Sequence, residues 1–170
     1  MKILGIDQSL TSTGWCLLED GELSEYGLIG SDKNANKFYR MKRVAYELWA
    51  KALTKRADII SLEGLPFGNL PGNVGKDLAG LQAAIVIELQ EDRHALDENL
   101  FLVPPTTIKK FATGSGKAKK EDMFEALPDI IKAKFSSTPK SRGRYDITDA
   151  YWLAKYIEEG KKKWVNNLRF

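Results

Sequence analysis

A chain of 170 residues, 43% hydrophobic and 29% charged, is long enough to bury a core of its own and fits one domain, expected over residues 1–170. Its single cysteine, Cys16 within WCLL, excludes a disulfide framework or a cysteine-rich metal site. Only four apolar residues separate Lys2 from Asp7, too few for a secretory signal, and no apolar run approaches the ~20 residues of a membrane span, so a cytoplasmic protein without a membrane partner is expected. The formal charge of +3 hides an asymmetry. Residues 104–145 hold ten Lys/Arg against four Asp/Glu, a balance of +6, leaving −3 on the rest. Such a basic segment suits a polyanionic partner, although solvated lysines give the same count.

In chain order, residues 2–7 (KILGID) read as a buried strand and 14–18 as a second, separated by a turn rich in Ser and Thr. Glu19-Asp20-Gly21-Glu22 carries the Asp-Gly hairpin signal and 23–29 returns as a third strand. Over 36–56 the apolar residues Phe38, Met41, Ala45, Leu48 and Ala52 follow helical spacing. Residues 57–63 (ADIISLE) form another short strand closing on a carboxylate, followed by a Gly/Pro loop over 64–75 that holds Phe67 and Leu70. A long helix is expected over 74–90, with Leu78, Leu81, Ile85 and Leu89 on one face and Val86 and Ile87 widening it; core burial and a partner helix both account for that breadth. Residues 100–103 form the last strand, cut off by Pro104-Pro105, and helices are expected over 107–112, 119–127 and 146–159. The order gives an α/β fold: a mixed five-stranded sheet, three antiparallel N-terminal strands then two parallel, flanked by helices.

Two carboxylates end apolar strands, Asp7 and Glu63, where a charge is costly unless solvent, donors or a cation meets it. If the strands are neighbours their ends converge, and strand ends are where open α/β sheets hold ligands. A second pair, Asp146 and Asp149 in DITDA, shares a helix face, with Ala150 small enough for close packing on a sheet. Taken singly each has a structural reading: Asp146 and Asp149 as cap and dipole partners, Asp7 as acceptor for the hydroxyl turn, Glu63 as the end of an edge strand.

Together these form an oxygen-only donor set, which suits Mg²⁺ or Mn²⁺ and disfavours zinc. The sole histidine, His94, lies in the acidic stretch EDRHALDE, away from the set. Two divalent ions could clamp the attacking and leaving oxygens of a displacement at phosphorus, so the inferred chemistry is phosphodiester hydrolysis.

GIDQSLTSTGW at 5–15, ISLEG at 60–64, TGSGKAKK at 113–120 and DITDA at 146–150 are similar, in order and roughly in spacing, to the RuvC family of Holliday-junction resolvases within the RNase H-like nucleases. The resemblance spans about residues 2–158. It implies an RNase H-like fold in which Asp7, Glu63, Asp146 and Asp149 are metal-binding catalytic acids. It further implies a homodimer, joined through the 74–90 helix, that nicks opposing strands of a four-way DNA junction symmetrically. Phe67 is the nearest match to the family's aromatic wedge at the crossover, with core packing as the ordinary alternative. The loop around Ser115, Lys117, Lys119 and Lys120 resembles the family's basic glycine loop and would approach phosphates. Lys110, Arg142 and Arg144 complete the expected DNA-binding set.

The chain departs from the family's pattern at Gln8-Ser9, where Pro-Gly is usual, and at Ser115, where a lysine is usual; the basic end Lys161-Lys162-Lys163-Trp164 has no counterpart. Such divergence fits a viral or phage-type member with broader cutting of branched DNA, and flaps, forks or structured RNA are the alternative substrates. An actin-like sugar kinase also opens on a strand, an Asp and a hydroxyl turn, but needs two lobes. A non-catalytic DNA-binding module would leave the acids without work.

Overall fold

The computed structural model describes residues 1–66, 73–91 and 99–167. Its sheet comprises β1 (Lys2–Asp7), β2 (Ser12–Glu19), β3 (Glu22–Gly30), β4 (Ile59–Glu63) and β5 (Leu100–Val103), in the order β3-β2-β1-β4-β5. β1 pairs antiparallel with β2 and parallel with β4; β2–β3 is antiparallel and β4–β5 parallel, as the element order predicts. At the β2–β3 turn Asp20 (φ 51°) and Gly21 (φ 88°) are both left-handed, the backbone that a two-residue hairpin needs to match strand twist.

Side chains alternate across the sheet, so each face has its own core. Leu4, Ile6, Trp15, Leu17, Ile60 and Leu62 meet helices α1 (Lys37–Lys55) and α2 (Val74–Glu91) through Val44, Leu48, Leu81, Ile85 and Leu89. Asn36 starts α1 by accepting from the backbone N–H groups of Phe38 and Tyr39, and Arg56 ends it in the left-handed region. The α2 face is narrower than expected: Leu81, Ile85 and Leu89 are buried, while Ile87 is 61% exposed.

The opposite face, with Ile3, Cys16, Leu18 and Ile59, is covered by the C-terminal helices: α3 (Pro105–Thr113), α4 (Lys120–Glu125), α5 (Asp129–Ser136) and α6 (Arg144–Asn167). Two boundaries differ from the sequence reading. Residues 119–127 hold a shorter helix, and α5 follows Pro128 as a separate element that eight residues with Ile131 and Phe135 buried were too short to announce. α6 begins at Arg144, after a 3-10 turn (Lys140–Arg142) closed by Gly143 at φ 95°, which places Asp146 inside the first turn and not at the cap. Among the described residues no helix is long and apolar enough to cross a membrane.

Candidate active site

The sheet brings the strand-end acids side by side. Ile6 pairs with Leu62 across parallel β1–β4, so the next residues along the two strands are Asp7 and Glu63. Asp7 is buried, 7% exposed, on the face that carries Gly5 and receives α6. Its antiparallel partner on β2 is Gly14.

α6 lies on this face at backbone contact. A Cβ on Gly14 would sit 2.2 Å from the Asp146 carbonyl oxygen, and one on Gly5 would sit 2.1 Å from that of Ala150. Only hydrogen fits at either strand position. The first turns of α6 therefore rest directly on the ends of β1 and β2, and the i, i+3 spacing of Asp146 and Asp149 delivers both carboxylates to the rim where Asp7 and Glu63 end.

Electrostatics report the crowding. Burial, and then the charges of Glu63, Asp149 and Asp146, push the Asp7 carboxyl well above the usual carboxylate range. Burial also raises Glu63, against the lowering influence of a hydrogen bond with Asp7 and of Lys120 and Lys109. Asp149 is pushed up to about 7, by burial first and the Glu63 charge second. Lys120 Nζ lies 3.4 Å from Asp146 Oδ1. Burial works against that ammonium, yet the surrounding carboxylates hold its pKa above the ordinary lysine value.

The site thus holds more negative charge than Lys120 and the more distant Lys109 compensate. Among the described residues no three acids already stand in ligating geometry. The donor chemistry nonetheless fits a hard divalent cation: carboxylate oxygens alone, desolvated, and short of positive charge. Asp7, Glu63, Asp146 and Asp149 are the residues that would hold it.

Gln8, where the chain leaves the family pattern, is buried behind the site. Its amide nitrogen donates to the Glu63 carbonyl at 2.8 Å and to Gln82 Oε1 at 3.0 Å, tying the ends of β1 and β4 to α2. The hydroxyl turn closes on itself: Thr13 Oγ1 donates to the Ser9 carbonyl and accepts from its N–H, and the Arg40 guanidinium donates to the Leu10 carbonyl.

The expected DNA-binding residues separate into three groups. Lys110, Ser115, Lys117 and Lys119 are exposed on α3 and the following loop, where Gly114 (φ 82°) turns the chain and Ser115 Oγ accepts from the Lys117 N–H. Lys120 belongs with the acids, and Arg142 faces a neighbouring cleft. Arg144 is held by its own chain: it donates to the carbonyls of Thr138 and Ser136, and its guanidinium lies 5.2 Å over the Phe124 ring. Phe67 and His94 fall outside the described residues. The sequence reading passed over Lys109, Lys33 and Lys140, and marked Gln8 only as a departure from the family's pattern. Lys109 was visible as half of a Lys-Lys pair, but only the α3 phase, with Ile108 buried, turns it rather than Lys110 toward the acids.

No family model matches the chain. The crossover junction endodeoxyribonuclease RuvC of Ehrlichia ruminantium (strain Welgevonden) is 30% identical over 161 residues, covering 91% of this chain and 94% of the relative. Among solved structures, Thermus thermophilus RuvC superposes with a TM-score of 0.71 at 16% identity, covering 96% of this chain and 97% of that one. The yeast mitochondrial Holliday junction resolvase Ydc2 gives 0.67 at 15%, covering 97% and 81%. At these identities the two structures establish the fold.

Proposed function

The chain belongs to the RuvC family of crossover junction endodeoxyribonucleases, and from that membership we propose that it is a metal-dependent nuclease, one domain over 1–170, that resolves four-way DNA junctions by paired nicks. What supports the reading is that Asp7, Glu63 and Asp149, from β1, β4 and α6, are buried and close enough to raise one another's pKa values, with Asp146 among the charges that act on them. Burial that raises carboxylate pKa values is unfavourable for a structural cluster, and a cation at the same rim would relieve it.

The proposed complement is two Mg²⁺ per site, with Mn²⁺ as a substitute. Bound there, divalent ions would neutralise the acids, activate a water and stabilise charge on the leaving oxygen. The chain's own residues set that up. Gly5 and Gly14 let α6 dock, Gln8 fixes the Glu63 strand end, and Lys120 presents an ammonium beside Asp146 where a phosphate oxygen would arrive. Lys110, Lys117 and Lys119 stand outside the rim and supply attraction independent of sequence.

Paired nicks require two sites, hence a homodimer. The exposed face of α2 suits it: Ala79, Ala83 and Ile87 recur at intervals of four and face away from the buried Leu81, Ile85 and Leu89. Small residues flanking one exposed Ile allow close helix packing across an axis. The compartment proposed is the cytoplasm.

The test is cleavage of an end-labelled immobile four-way junction beside linear duplex, flap and fork substrates, in Mg²⁺ and in a Ca²⁺ binding control. Symmetric nicks in the junction, far faster than in duplex, are expected. Equal rates on flaps or forks would instead support the broader branched-DNA reading, and no cleavage in any metal would refute a nuclease.

A further inference from the structure

Beside the acids, between the hydroxyl turn and the 3-10 turn before α6, runs an open cleft of about 390 Å³. Ser12, Lys33, Lys120, Lys140, Arg142 and Asp146 are among its lining residues, so four cations face a single carboxylate. Among the described residues no acid is ion-paired with Lys33, Lys140 or Arg142. Three cations without an acid partner in one concave wall make that wall attractive to an anion.

The walls are fixed in place. Gly143, at φ 95°, lies so close to the hydroxyl turn that a Cβ would sit 2.7 Å from Leu28 Cδ2 and 2.8 Å from Ser12 Oγ. The 3-10 turn carrying Lys140 and Arg142 is therefore pinned against β2. Lys140 Nζ lies 5.8 Å over the Tyr145 ring, and the Tyr145 hydroxyl donates to Glu121 Oε1. Arg144 holds the other side of the turn through the Ser136 and Thr138 carbonyls. The backbone of this turn is therefore ordered before anything binds.

We propose that this cleft is a backbone subsite for the cleaved strand: Lys33, Lys140 and Arg142 hold the phosphodiester next to the scissile one. The assignment rests on the junction-nuclease reading above. Asp146 and Lys120 belong to both the cleft and the catalytic rim, so a strand leaving the rim enters the cleft directly. Ser12 offers a hydroxyl beside the three cations, a lining whose charge suits phosphate backbone. Lys33, Lys140 and Arg142 are positioning residues here, since none reaches the reacting phosphorus.

The experiment measures binding of labelled four-way junction and single-stranded DNA in Ca²⁺ from about 50 to 200 mM salt, for wild type, the triple variant Lys33→Ala/Lys140→Ala/Arg142→Ala, and its three single variants. Lys2→Ala, at the opposite end of β1 from Asp7, is the charge control. Each phosphate contact contributes about 0.7–0.9 to the slope of log affinity against log salt. The triple variant is expected to lose about 0.7–0.9 of slope and at least tenfold in affinity at low salt, each single variant a share of that, and Lys2→Ala nothing. A methylphosphonate next to the scissile phosphate should weaken wild type and leave the triple variant unaffected. An unchanged slope, or equal sensitivity of wild type and triple variant to that neutral linkage, overturns the subsite. Because binding is read without cleavage, the junction-nicking rate of wild type judges the functional reading separately.

Discussion

Gly14 and Asp146 meet backbone to backbone: the carbonyl of the aspartate occupies the space where a side chain on the glycine would begin, 2.2 Å from its Cβ position. Because Gly14 is also the cross-strand partner of Asp7, one missing methyl group sets how near two of the acids can come. Gly14→Ala must lift the start of α6. The expected result is a loss of about 1–3 kcal/mol or more in urea unfolding and a fall in nicking of about a hundredfold, the scale of an ångström-sized misplacement. A variant with wild-type stability and rate would show that α6 is not held by this contact.

Removing charge from the rim should separate catalysis from binding. Asp7→Asn, Glu63→Gln and Asp149→Asn are each expected to cut junction nicking by at least about 10²–10³-fold. Affinity for the junction should hold or rise, because a less negative rim repels phosphate less. Gel-shift titration and single-turnover nicking on the same preparations check both halves; retained cleavage in all three variants would remove these acids from the site.

The raised carboxylates also set a pH dependence of stability. Asp149 titrates near 7 in the folded chain and near ~3.9 when unfolded. Between those values the native state binds more protons, so its contribution is full below ~4 and is lost as pH rises toward 7. At about 1.4 kcal/mol per pKa unit, that loss is roughly 2–4 kcal/mol in the metal-free protein. Urea unfolding in EDTA should therefore show lower stability at pH 8 than at pH 5. Asp149→Asn should flatten the trend, and millimolar Mg²⁺ should restore stability chiefly at the higher pH. A metal-free protein that is more stable at pH 8 would contradict the burial of the acids.

Gln8→Leu keeps the volume and removes the donor to the Glu63 carbonyl and to Gln82. A buried acceptor left unsatisfied costs about 1–3 kcal/mol. Nicking should slow while junction affinity is unchanged, because the strand end carrying Glu63 loses its tie to α2. Comparison of the two rates at saturating protein is the check.

Ile87, 61% exposed on α2, has no role in its own core. Ile87→Glu should leave the fold of the single subunit intact, as surface changes do. It should also shift sedimentation from dimer to monomer at micromolar concentration. A variant that stays dimeric moves the interface elsewhere.

Much of this arrangement was legible in the sequence because charge at the end of an apolar run is conspicuous. Asp7, Glu63 and the three-residue spacing of Asp146 and Asp149 could be read directly, as could the Asp20-Gly21 hairpin that starts the antiparallel half of the sheet. What brings the acids together could not. Gly5 and Gly14 look like weak points in strands, and only the tertiary approach of α6 turns them into its docking surface. Arg142 and Arg144 are equivalent in composition, yet one faces a cleft and the other is bound to its own loop, a distinction set by the turn between them. Lys120 read as a loop lysine because the acid it meets lies 26 positions away.

The chain's one cysteine has a use beyond packing. Cys16 is fully buried, its Sγ donates to the Ile147 carbonyl at 3.3 Å, and burial raises the thiol's pKa well above its ordinary value. Ile147 sits between Asp146 and Asp149, so detachment of this end of α6 from the sheet should open Cys16 to a thiol reagent. Labelling speed should thus time how often the Asp146–Asp149 end of α6 lifts from the sheet, readable in the unaltered protein. Cations and DNA that hold the helix down should slow it.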